Sequence, residues 1–298
     1  MLVKSYKLIF IFFCSTWSLT SFAAHTQIEA QLAALEKTSG GQLGVAAINT
    51  ANNTRIQYHA NERFPFCSTS KFIVVAAILK KSMTDKNLLQ EKIMYTQKDL
   101  DTANSYSPVT QQHLATGMTI SELCAAAILS DSTAMNILVQ KLGGPKAINK
   151  FAYSIGDKMF RLDRYEPELN TAIPGDARDT TSPNAMANDL QKLVLGNVLA
   201  APQRELLQTW MKANNTGDHR IRAGVPQGWV VGDKTGSGHY GVTNDIAVIW
   251  PPSCPPIILA IYFRQSKQTA TWRDDVISAA TRIVINDFKQ ADPCYAAK

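Results

Sequence analysis

Runs with strand character stand near both ends of this 298-residue chain and are missing from its middle. Residues 43–49 and 55–59, around the turn residues Asn52 and Asn53, are rich in apolar and β-branched side chains, and residues 229–234, 245–250 and 257–264 repeat that pattern much later. From Ser68 to about Lys192 the apolar spacing is helical, with segments at 72–81, 120–128 and 133–142. Gly143-Gly144 closes the last of these, and Pro145 opens a further helix that ends at Gly156. Two more helical segments begin at Pro183 and Pro202. Neither set of strands makes a sheet with a covered face by itself, so the simplest packing joins the early hairpin to the three late strands in one antiparallel sheet. Amphipathic segments at 28–37, before Gly40-Gly41, and at 271–290 then cover that sheet. The reading is an α/β (α+β) fold. A five-stranded antiparallel sheet, flanked by N- and C-terminal helices, is formed by residues 24–66 and 215–298; residues 67–214 form an all-α domain, with a site in the cleft between the two.

The leading residues read differently. Lys4 and Lys7 precede an apolar stretch at 8–13, and Ser21-Phe22-Ala23 offers small residues for cleavage, so residues 1–23 are expected to be a signal peptide. The apolar stretch is too short to span a bilayer, and Phe13 is too bulky to precede an acylated Cys14. A soluble periplasmic chain without membrane attachment is expected after cleavage. Lys4 and Lys7 supply two of the formal +6 charges and leave +4 on scattered basic residues, which argues against nucleic acid as a partner. Cys67, Cys124, Cys254 and Cys294 match no zinc spacing, and neither metal nor cofactor is expected. The strand at 257–264 and the helix after it each span about 26 Å, out and back. That brings Cys254 and Cys294 to the same end, and a disulfide between them is expected, with Cys67 and Cys124 left free.

Four elements have the make-up of reactive chemistry. Ser68-Thr69-Ser70-Lys71 stands where an apolar helical run begins, so Ser68 and Lys71 share a helix face and the amine can take the hydroxyl proton. The helix N-terminus also favours developing negative charge. Lys234-Thr235-Gly236, at the end of a strand-like run, offers a cation, a hydroxyl and a glycine that lets a substrate approach the backbone. The next residue, Ser237, could pair its N–H with that of Ser68 as an oxyanion hole. Ser130-Asp131-Ser132 stands at a helix start, where capping alone would also explain it. Arg164-Tyr165-Glu166-Pro167-Glu168-Leu169-Asn170 opens an aperiodic stretch at 161–181, with Asp179 available to pair with Arg164 and close the loop at 164–179. Glu166 and Asn170 could hold a water there, and Pro167 is a candidate cis peptide; the alternative is a solvated acidic loop.

Taken together and in this order, these elements resemble the class A serine β-lactamases across essentially the whole mature chain, including the run from Gly232 to Gly236. The resemblance, extended-spectrum-like in character, implies hydrolysis of β-lactam antibiotics through a serine acyl-enzyme. It implies that Ser68 is the nucleophile, Lys71 and Glu166 the base system, Ser130 the proton shuttle to the leaving nitrogen, and Glu166 with Asn170 the deacylation pair. Lys234, Thr235, Gly236 and Ser237 would bind the substrate, with Arg220 behind them, Tyr106 as a wall and Ser132 against the substrate side chain. A monomer with a small-molecule β-lactam as its only partner is implied. The sequence departs from the family at Ser132, where Asn is usual, and in a longer stretch at 101–105 with a shorter one before Ser130. Cys67 precedes the nucleophile as in some extended-spectrum and carbapenem-hydrolysing members, but Gly238 offers it no disulfide partner, so carbapenem hydrolysis is not implied by Cys67, although Arg220 leaves it open. A penicillin-binding D,D-peptidase shares the nucleophile, shuttle and Lys-Thr-Gly set but usually lacks the Glu166 to Asn170 arrangement. A β-lactam sensor that acylates and stays acylated would be expected to keep a transmembrane segment.

Overall fold

The computed structural model describes residues 17–296. Most of the expected signal peptide, residues 1–16, lies outside the described residues, and no helix within them is long and apolar enough to cross a membrane.

Five strands form the main sheet: β1 (Gln42–Asn49), β2 (Arg55–Tyr58), β3 (Val230–Ser237), β4 (Thr243–Trp250) and β5 (Ile257–Arg264). Their order is β2-β1-β5-β4-β3, antiparallel at every step, so the early hairpin does join the late strands. The β1–β5 register runs from Gln42 opposite Arg264 to Asn49 opposite Ile257. The principal helices are α1 (Trp17–Ser39), α2 (Ser70–Ser82), α3 (Ile120–Ile128), α4 (Ser132–Leu142), α5 (Pro145–Ser154), α6 (Pro183–Leu190), α7 (Ala201–Lys212) and α8 (Asp274–Ala291).

Both faces of the sheet are covered, which is why β1 and β5 read as continuous apolar runs rather than as alternation. On one face Val45, Leu259 and Ile261 pack with Leu32 of α1 and Phe288 of α8. On the other, Ile48, Ala260 and Tyr262 join Phe72 of α2, Leu138 of α4 and Met186 of α6 in a second, larger core. Cys254, before β5, and Cys294, after α8, form the expected disulfide with their Cα atoms 5.8 Å apart. Cys67 and Cys124 are free and buried.

Three boundaries differ from the sequence reading. Helix α1 begins at Trp17 and so runs through the expected cleavage point. Helix α8 begins at Asp274 rather than at 271, because the preceding residues are tied elsewhere: the Arg273 N–H donates to Thr243 Oγ1 at 2.9 Å. Strand β3 continues through Ser237, so Lys234-Thr235-Gly236 lies within a strand and not at its end.

Candidate active site

Ser68 lies in a single 3₁₀ turn, Cys67–Thr69, that feeds directly into α2. Asn244 of β4 fixes the approach to that turn, its amide donating to Pro65 O at 2.8 Å and Phe66 O at 3.2 Å. Lys71, fully buried in the first turn of α2, donates from Nζ to Ser68 Oγ at 2.9 Å and to Ser130 O at 2.8 Å, and sits 2.8 Å from Glu166 Oε1. The same amine is 3.4 Å from Ser132 Oγ. The amine is thus the group through which the hydroxyl of Ser68 and the carboxylate of Glu166 communicate.

The Ser130-Asp131-Ser132 triplet divides its work. Asp131 is the N-cap of α4, accepting from Ala134 N at 2.9 Å, and its carboxylate also takes the backbone N–H groups of Val109 and Thr110. Capping therefore explains the aspartate. The flanking serines turn to the site: Ser130, at φ +74°, accepts a hydrogen bond from Lys234 Nζ. The Ser132 N–H donates to Tyr106 O at 2.8 Å, which ties the 101–106 stretch to this helix start.

Glu166 is buried. The Asn170 amide donates to its Oε2, the Glu166–Pro167 peptide is cis, and Asn170 belongs to a short 3₁₀ turn, Glu168–Asn170. The loop is closed as expected: Arg164 Nε meets Asp179 Oδ2 at 2.5 Å, and Asp179 Oδ1 accepts from the N–H groups of Asp163 and Arg164. Sequence reasoning missed Asn136 of α4, whose side chain donates to Glu166 O and accepts from Glu166 N, both at 2.9 Å. The only sequence signal was an amide in a helical register otherwise filled by apolar residues.

Strand β3 is the sheet edge, and it supplies the opposite wall. The Gly238 N–H is spent on Val242 O across the β3–β4 end, so by the alternation of an antiparallel ladder the Ser237 N–H faces away from β4, toward the cleft. Lys234 is fully buried beneath it; burial, and then the neighbouring Lys71, push its amine well below the usual lysine range, with Asp233 and Asp245 opposing. An anionic ligand would restore the charged form. Thr235 Oγ1 is 2.6 Å from Thr216 Oγ1, a second residue the sequence gave no sign of. Arg220 is buried behind the strand, donating to Gly236 O at 3.0 Å, to Ser237 Oγ at 2.7 Å and to Asp274 Oδ1 at 2.8 Å.

At Gly236 a Cβ would come within 2.6 Å of Phe66 O and 3.1 Å of Thr69, so glycine also lets β3 approach the turn that carries Ser68. Gly238 is similar: its Cβ would lie 2.6 Å from Cys67 Sγ. Burial pushes the Cys67 thiol up, so it is a packing group and not a second nucleophile.

A cavity of about 310 Å³ is lined by Ser68, Tyr106, Ser130, Ser132, Asn170, Thr216, Arg220 and Thr235 through Ser237. The structure therefore gathers the sequence-predicted set: those residues line this cavity, while Lys71, Glu166 and Lys234 hydrogen-bond or ion-pair with its lining from beneath. The arrangement offers a hydroxyl beside an amine, a second hydroxyl beside another amine, a carboxylate with an amide to hold water, and an outward N–H. Those parts suit acyl transfer followed by hydrolysis.

Comparison with known proteins points the same way. Residues 27–288 match the model of the β-lactamase enzyme family. A β-lactamase of Proteus vulgaris is 56% identical over 88% of this chain and 96% of its own length, and β-lactamase CTX-M-97 of Escherichia coli is 54% identical over 91% and 92%. Among solved structures, a β-lactamase from Burkholderia phymatum superposes with a TM-score of 0.86 at 48% identity, covering 89% of this chain and 99% of the other. An ancestral class A β-lactamase does so at 0.84 and 52%, covering 88% and 100%. With this site at the cleft of this fold, the chain belongs to the β-lactamase enzyme family, in its class A.

Proposed function

We propose that this chain opens the ring of penicillins and cephalosporins in two steps at Ser68 and so confers resistance to them. Ser68 Oγ attacks the ring carbonyl while its proton passes to Lys71 Nζ and on toward Glu166, a path of 2.9 Å and 2.8 Å contacts. The developing oxyanion lies against the N–H groups of Ser68 and Ser237. As the carbon–nitrogen bond breaks, Ser130, hydrogen-bonded to Lys234, delivers a proton to the nitrogen. The substrate carboxylate takes Lys234, Thr235 and Ser237 as partners, with Arg220 adding charge from behind. Glu166 then removes a proton from a water held with Asn170; the water attacks the ester carbonyl, Ser68 leaves with a proton, and the ring-opened acid departs.

The observation that carries this reading is the buried Glu166, joined to Lys71 on one oxygen and Asn170 on the other within reach of Ser68. It supplies the deacylation that a D,D-peptidase or a permanently acylated sensor lacks. The test is intact-mass spectrometry with a penicillin, beside an absorbance assay of ring opening. Wild type should turn over without a lasting adduct, Glu166→Ala should accumulate one, and Ser68→Ala should form none. A wild type that stalls as a stable adduct would favour the sensor or peptidase; no adduct at all would remove Ser68 from its role.

Export to the periplasm, with cleavage after Ala23, is part of the same reading. Its support is the basic and apolar pattern of residues 1–23 and a disulfide suited to an oxidising compartment. Action as a monomer on a small-molecule β-lactam belongs to the same reading, supported by the likeness to class A β-lactamases. N-terminal sequencing of the periplasmic protein, expected to begin at Ala24, checks the cleavage.

A further inference from the structure

Two of the few large apolar side chains left exposed among the described residues, Tyr106 at 58% and Trp272 at 60%, line the same cavity as Ser68. Single exposed aromatics need no explanation, but two over one reactive serine do. Trp272 has a further position. It also lines an adjoining cavity of about 660 Å³, bounded by Asn104, Pro167, Asn170, Gly238 and His239, so it stands on the threshold between that space and the serine.

The indole is held there in advance of any ligand. Its Nε1–H donates to Gly238 O at 3.1 Å; on either side of it, Thr271 O accepts from Gln265 Nε2 at 2.7 Å and the Arg273 N–H donates to Thr243 Oγ1 at 2.9 Å. A ring fixed by its own N–H and by its two chain neighbours gives up little further freedom when a ligand covers it. Its chemistry is a flat, electron-rich face, which a second planar ring can stack upon or meet edge-on.

Orientation follows from the proposed function, on which this inference rests. The carboxylate end of a β-lactam is drawn to Lys234 and Thr235, and its acylamino branch leaves in the other direction along β3, past Ser237 and Gly238 toward the larger cavity. Trp272 lies on that course. We propose that Trp272 is a specificity-determining residue that recognises a planar aromatic group on the acylamino branch of the substrate, favouring such β-lactams over those with an aliphatic branch.

The test compares two penicillins that differ only in that branch, phenylacetyl and n-alkanoyl, in wild type, Trp272→Leu and Trp272→Phe, after matched melting curves have shown that each variant folds. The second-order rate of Ser68 acylation, read by rapid-quench intact-mass spectrometry, is the primary readout, so the result does not depend on deacylation. A ring contact predicts that the aromatic-to-aliphatic rate ratio falls about 3–10-fold in Trp272→Leu, through the affinity rather than the maximal rate, and is largely kept in Trp272→Phe. An unchanged ratio in Trp272→Leu overturns the proposal. An equal fall in both variants overturns it too, because phenylalanine keeps the ring and loses only the hydrogen bond to Gly238 O. A wild type that is acylated by neither penicillin refutes the proposed function, and the inference with it; acylation by both with an unchanged ratio refutes the inference alone.

Discussion

Asn136 spends both ends of its amide on the main chain of one residue, Glu166. Replacing it with alanine should strand a buried N–H and C=O and cost about 1–3 kcal/mol of stability, but the more telling effect is on rate. With the backbone of Glu166 unclamped, deacylation should slow more than acylation, seen as a burst of ring opening followed by a reduced steady rate. A second prediction concerns a carboxyl the mechanism does not use. Asp189 is fully buried; burial first, and then the adjacent Asp157, through its charge and a carboxyl–carboxylate hydrogen bond, hold it well above the usual carboxyl range, with Lys192 opposing. A carboxyl raised on folding favours the native state at low pH, and that contribution is lost as pH climbs from the ordinary aspartate range through the raised folded value. Asp189→Asn should therefore gain on wild type in melting temperature at pH 7 and gain less, or nothing, at pH 4. At this scale the sequence was informative wherever chemistry is local: Ser68 with Lys71, Glu166 with Asn170, and the Lys234 to Ser237 run are each neighbours along the chain. Thr216 and Trp272 were silent, and Asn136 showed only as an amide out of register, because they meet their partners, Thr235, Gly238 and Glu166, only through tertiary packing.

The loop at 161–181 shows how an element without periodicity can still be specified. Its two ends exchange backbone hydrogen bonds between Arg161 and Thr180 at 3.0 and 3.2 Å, and inside them Arg164 pairs with the buried Asp179. Arg164 also donates to Thr171 Oγ1 at 2.9 Å, so one guanidinium holds the end and the middle of the loop. Arg164→Ala leaves a buried carboxylate without its countercharge and should cost about 3 kcal/mol. The loss should be confined to the loop: limited proteolysis should cut within 161–181 before the rest of the chain opens, and deacylation should fail before acylation does. The pairing was legible because two opposite charges bracket the segment. The strand and helix assignments were legible for a different reason, since covered strands read as apolar runs and capped helices announce their ends at Thr119, Asp131 and Ser182. What periodicity did not reveal is where β3 stops and α8 starts. Those limits are set by hydrogen bonds from Trp272 and Arg273 to Gly238 and Thr243, on elements far away in sequence.

Across the whole molecule, the Cys254–Cys294 disulfide closes the turn of chain made by β5 and α8. With a separation of 40 residues, its removal by a double Cys→Ser substitution should cost about 4 kcal/mol, measurable as a drop in urea midpoint with little change in turnover, because the site lies at another part of the sheet. The overall architecture followed from the sequence because strands flank the helical middle and need one another. The sheet order, however, has a bearing on biosynthesis. Strand β1 has β2 on one side and β5 on the other, and β5 is the last strand to leave the ribosome or to emerge from a translocation channel. Until then β1 carries a bare edge, and β3, which holds Lys234 and Ser237, has no sheet to join. The nucleophile's helix can form early, but the pocket around it must wait for the far end of the chain, so a truncated or stalled product would hold Ser68 and Lys71 yet have no wall for a substrate to lean on.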